Sequence, residues 1–157
     1  MLSDPLFLLI LHSFFRWLVL AGLLYAVCRA CSGYFKAQPF TKTDNAVRHW
    51  TATIAHIQLV IGLLLYLQSP VVKYFRRHFT EALHQPDTLF FGLIHIALML
   101  LAVVIITIGS AKAKGRLSDK EKFKTMLVWF LIALLIIFIA IPWPFSPLAN
   151  RPYIRPL

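Results

Sequence analysis

The chain has 157 residues, enough for one domain, of which 59% are apolar and only 14% charged. A soluble domain carries about 25% charged residues, and one small core could not hide this much apolar surface, so a soluble fold is excluded. Sixteen Lys and Arg against six Asp and Glu give a net charge of +10; the basic residues flank long apolar runs, where topology and lipid headgroups account for them, and nucleic acid is not an expected partner.

The first apolar run covers about residues 5–28. Asp4-Pro5 reads as an N-cap followed by proline at the first helical position. No Lys or Arg precedes the run, and it is too long for a signal-peptide core, so it reads as a retained helix. Cys28 and Cys31 come next in C-x-x-C spacing. With no second pair to complete a zinc site, they read as two small residues at a helix end. Thr43 or Asp44 is placed to cap a helix that enters the membrane near Trp50 and spans about residues 51–68, and Ser69-Pro70 stops it. Pro86-Asp87-Thr88 opens the third span, about residues 89–109. The fourth, about 126–143, ends at Ile141-Pro142-Trp143-Pro144, because two prolines two apart cannot continue a helix.

Each run approaches or exceeds the roughly 20 residues of helix that cross about 30 Å of hydrocarbon, and no period-two strand pattern occurs. The expected fold is all-α: an up-down-up-down bundle of four transmembrane helices. It forms a single integral membrane domain over residues 1–157, with an extended proline-rich tail over 144–157. Orientation is read from basic residues. The loops after the first and third spans hold Arg29, Lys36, Lys42 and Arg48, then Lys112, Lys114, Arg116, Lys120, Lys122 and Lys124. The opposite side holds Lys73, Arg76, Arg77, Arg151 and Arg155. The asymmetry places the chain in the cytoplasmic membrane with both termini outside the cytoplasm.

Ionisable side chains inside a span are costly and mark function. Here they are His12 and Arg16 in the first span, His56 in the second and His95 in the third, while His49, His78 and His84 fall at the membrane edge or beyond. A rise of about 1.5 Å per residue puts His12 and His95 at one level, roughly 10 Å from the outer end of their spans, and Arg16 and His56 several ångströms deeper. First and third helices of such a bundle are commonly diagonal, so these two histidines are placed to approach a flat macrocycle from both faces. Neutral imidazole is a standard haem ligand. No Asp or Glu lies within any span, and a haem propionate would answer the Arg16 guanidinium. His12 and His95 are therefore the expected axial pair of a haem b and Arg16 its propionate partner, with His56 an alternative ligand or a quinone contact. His56 and Gln58 lie about 200° apart around the helix and cannot both face the centre. Gln58 shares a face with Ala55 and Gly62 that reads as a close helix contact. Met99, one turn from His95, is a further possible ligand.

The segments His12-Ser13-Phe14-Phe15-Arg16-Trp17, His56-Ile57-Gln58 through Gly62 to Tyr66, and His95 ahead of Thr107-Ile108-Gly109-Ser110-Ala111-Lys112 resemble the small four-helix membrane proteins of Bacteroidota labelled cytochrome b-like. The resemblance covers most of the chain and implies haem b binding without fixing a reaction. It departs ahead of His95, where the family pattern leads one to expect an acidic residue and this chain has Ile94. A weaker likeness is to membrane protoporphyrinogen oxidases. Leu11-His12 fits it, but the Trp-x-His-x-Lys pattern of the third span is absent.

The expected function is electron transfer by a b-type haem, with quinone or quinol or a partner redox subunit. A haem-dependent membrane oxidase acting on superoxide, quinone or protoporphyrinogen is the alternative, as is a cofactor-free structural subunit of a larger membrane complex.

Overall fold

A computed structural model describes residues 5–144. Its helices are α1 (Pro5–Phe35), α2 (Lys42–Gln68), three short ones, α3 (Pro70–Arg77), α4 (Phe79–Ala82) and α5 (Pro86–Leu89), then a π-helical turn (Phe90–Ile94), α6 (His95–Lys114) and α7 (Asp119–Ala140). No strand occurs among the described residues. Asp4 and the tail beyond Pro144 lie outside them.

Four helical stretches are long and apolar enough to cross a membrane: α1, α2, the continuous stretch Pro86–Lys114, and α7. Their outward faces carry Leu24, Val60, Leu67, Leu135 and Ile139, each more than half exposed, a surface that only lipid solvates. Helix α1 packs on α2 and α7, and α6 packs on the same two, so α1 and α6 stand on one diagonal of an all-α bundle. Small residues line the contacts. Ala26, Ala30, Ala52, Ala55, Ala102, Ala113, Ala133 and Ala140 are all buried, which lets the backbones approach closely.

The helices overrun the expected spans at the basic end. α1 continues past Cys28 to Phe35, α6 past Gly109 to Lys114, and α7 begins at Asp119 instead of Met126. Packing and polar contacts outside the hydrocarbon explain this. The Phe123 ring fills the space beside Gly33 and lies 4.9 Å from the Phe40 ring. Arg29 pairs with the buried Asp44 at 2.6 Å. The Ser118 side chain accepts from the Glu121 N–H and starts α7. Helix α1 stops where Ala37 takes a left-handed φ of 49° and the Gln38 N–H returns to the Gly33 carbonyl at 3.0 Å. The cap of α2 is Thr41 and neither Thr43 nor Asp44. The Thr41 hydroxyl accepts from the Asp44 N–H at 3.3 Å, and the Asp44 carboxylate accepts from the Thr41 N–H at 2.9 Å, a capping box.

The stretch from Pro70 to Thr88, between the second and third spans, is also folded. Ser69 ends α2 and caps α3, and Pro70 sits at the first position of α3. Val72 and Phe75 are buried under α3 while Lys73, Arg76 and Arg77 are exposed. Ser-Pro ahead of apolar residues three apart is a helix start as much as a stop, and that pattern is the sequence signal for α3.

Candidate functional site

Between the diagonal helices, toward the α3 end, lies a cavity of about 410 Å³. Its walls are mostly apolar residues of all four long helices, with Val71 and Val72 of α3 closing one side, and His12, Arg16, Gln58, Tyr66, His95 and Met99 bring chemistry to it. Volumes of about 300–1,000 Å³ are typical of cofactor sites.

His95 reaches this cavity through the π-helical turn before it. The His95 N–H donates to the Phe90 carbonyl, five residues back. The wider turn inserts one residue into the helix and re-aims the side chains of α6 beyond it. The Tyr66 hydroxyl donates to the Gly92 carbonyl at 2.7 Å and ties the turn to α2. Gly92 lacks the side chain that would collide with the Phe75 ring, so α3 docks directly on the turn.

The His95 ring is fixed by the C-terminal end of α7. The Ala140 carbonyl would ordinarily accept from the N–H four residues on, but that residue is Pro144, which has none. His95 Nδ1 lies 2.9 Å from this carbonyl instead. A carbonyl only accepts, so Nδ1 carries the proton and Nε2 holds the ring's lone pair.

His12 is held from α2. The Gln58 amide donates to the His12 carbonyl at 3.0 Å and lies 3.3 Å from His12 Nε2. Gly62 leaves room for the ring, since a Cβ there would stand 3.1 Å from His12 Cε1. His12 Nδ1 and Gln58 Oε1 are buried with no hydrogen-bond partner. Buried polar atoms are normally satisfied, and leaving one orphaned costs about 1–3 kcal/mol. Both atoms belong to residues lining the cavity, which is where a bound group would meet them.

The two rings have centroids 6.4 Å apart and planes inclined at 71°. An imidazole nitrogen binds a first-row metal at about 2.0–2.1 Å, so two imidazoles on opposite sides of one ion hold their centroids about 6 Å apart. The spacing fits an axial pair. No cluster of three or more His, Cys, Asp or Glu forms among the described residues. Arg16 stands one turn along α1 on the same face as His12, lines the same cavity, and has its Cζ 5.2 Å from the Trp17 ring centroid.

His56 is elsewhere. It is exposed, with Nδ1 2.7 Å from the Ala52 carbonyl and Nε2 3.1 Å from the Thr107 hydroxyl, in a separate crevice between α2 and α6 that His49 shares. The 200° that separates it from Gln58 decides this, and Gln58 takes the inward face. The structure thus gathers His12, Arg16 and His95 around one cavity, with Met99 beside them, and leaves His56 out. His78 stacks on Tyr74 at 4.6 Å on the α3 helix and its cap. Sequence reasoning misses the carbonyl contact of Tyr66 and the π-helical turn, since no local pattern announces a π turn.

Compared with known proteins, the chain matches no family model, no curated protein and no solved structure.

Proposed function

We propose that the protein holds a b-type haem between His12 and His95 and moves electrons within the membrane, with quinone or quinol or a partner redox subunit as the other party. The observation that carries this reading is the 6.4 Å spacing of two imidazoles from diagonal helices inside an apolar cavity. The likeness of the histidine segments to cytochrome b-like proteins supports the same reading.

Bound haem supplies a one-electron iron couple whose potential depends on axial ligands, hydrogen bonding and burial. The protein's own part is positional. The Ala140 carbonyl orients the His95 ring. Gln58 holds the α1 backbone at His12, and Gly62 keeps the ring's space clear. Arg16 offers a fork of donors to a propionate. The apolar walls keep water from the site and so bias its potential.

The test is the visible spectrum of the full chain, purified in detergent after expression with ample haem supply. A reducible spectrum with two nitrogen axial ligands is the expected result. Colourless protein that takes up no added haemin overturns the reading and leaves the structural-subunit alternative. Reduction of the haem by a quinol without turnover of oxygen, superoxide or protoporphyrinogen separates a carrier from an oxidase.

A further inference from the structure

The second crevice, about 310 Å³ between α2 and α6, carries an independent observation. Arg48 lies in its wall and is only 5% exposed. Its guanidinium makes four hydrogen bonds, and every one ends on a neutral group. Nε and Nη2 donate to the Asn45 side chain at 3.1 and 2.9 Å, and Nη1 donates to the Ser110 carbonyl at 3.0 Å and to the Ser110 hydroxyl. The nearest carboxylate along the helix, Asp44, is one turn away and engaged by Arg29 at 2.6 Å. A guanidinium has five N–H donors, so one remains on Nη2, together with a full positive charge.

A buried charge is expected to be paired. The opening beside this one is lined by His49, Thr53, His56 and Thr107. It sits at the basic end of the bundle, next to Trp50, which is 59% exposed and has its ring 5.9 Å from His49. An exposed tryptophan beside basic residues is the mark of the headgroup level of a bilayer. From there an apolar track leads along both helices. Val60 and Leu64 continue the face of His56 on α2, while Val104 and Leu100 continue the face of Thr107 on α6, and all four are exposed.

We propose that this crevice seats the phosphodiester of an anionic membrane lipid. Arg48 supplies the balancing charge, His49 a flanking donor, and the α2/α6 groove the bed for the acyl chains. A phosphate oxygen can accept a charge-assisted hydrogen bond from the remaining Nη2–H, and an anionic leaflet surface supplies such groups at the basic side of a membrane protein. The site is separate from the histidine cavity and stands whether or not haem binds there.

Native mass spectrometry of the full chain in detergent tests it, with dioleoyl phosphatidylglycerol, dioleoyl phosphatidylcholine and inorganic phosphate as probes. The wild type should prefer phosphatidylglycerol over phosphatidylcholine by about tenfold or more, and Arg48→Gln should erase that preference. Arg48 also bridges α2 to α6, so a second variant, Ala111→Phe, guards against a loss of fold. This substitution narrows the crevice from an exposed position and leaves Arg48, Asn45 and Ser110 themselves unchanged, and it should weaken phosphatidylglycerol binding by a similar factor. Equal lipid binding by wild type and Ala111→Phe overturns the proposal. Displacement of the lipid by millimolar inorganic phosphate overturns the lipid source and assigns the crevice to a soluble phosphate.

Discussion

His12 and His95 face each other across the diagonal of the bundle with ring centroids 6.4 Å apart, one anchored from α2 and the other from the end of α7. Replacing either with alanine removes half of the pair. His12→Ala and His95→Ala are each expected to abolish a low-spin, two-imidazole spectrum or to yield apoprotein. His56→Ala should leave that spectrum in place, because its ring is tied to Ala52 and Thr107 outside the cavity. Loss of the spectrum in His56→Ala alone would transfer the ligand role to His56.

Arg16→Gln should lower haem retention or shift the midpoint potential while the helices stay folded. Its side chain lines the cavity one turn from His12, where a propionate would meet it. Circular dichroism separates misfolding from a local effect. An unchanged potential and unchanged retention would remove Arg16 from the haem site.

The positions at which the chain crosses the membrane are legible in the sequence because lipid enforces long apolar runs, and the shared level of His12 and His95 is legible because helical rise is fixed. The helix ends are not. α1 and α7 run past the hydrocarbon on contacts such as Arg29–Asp44 and Phe123 against Gly33, which apolar content does not register. His56 has an intramembrane position in the sequence but no assigned facing, and facing is what the structure adds. The role of Pro144 is half legible, since a proline four residues past Ala140 leaves a carbonyl open, but its recipient lies in another helix and no local pattern names it.

Orientation can be read by labelling. In a Cys28→Ala, Cys31→Ala background, a cysteine at the exposed Thr80 should react with an impermeant maleimide added to intact cells or right-side-out vesicles, and one at the exposed Ser118 should not. The motive is the excess of Lys and Arg on the Ser118 side. The reverse pattern would invert the topology and place the histidine cavity in the cytoplasmic half.

Gly92→Ala should destabilise the protein by about 1–3 kcal/mol, the usual cost of forcing a methyl group into a packed site. The new Cβ would overlap the Phe75 ring, so α3 must shift off the π-helical turn. A lowered unfolding temperature together with faster hydrogen exchange at Val72–Arg77 is the expected signature. Unchanged exchange there would show that the ring relaxes without moving the helix.

The docking of α3 also fixes one wall of the cavity. Two buried side chains, Val72 and Phe75, hold this helix down, and Val71 and Val72 form one wall of the cavity. Burying such side chains is worth about 1.5–3 kcal/mol each. Together the two contribute about 3–6 kcal/mol to holding α3 in place. A wall pinned by two side chains of one short helix can be reshaped by substitution without disturbing the four spans.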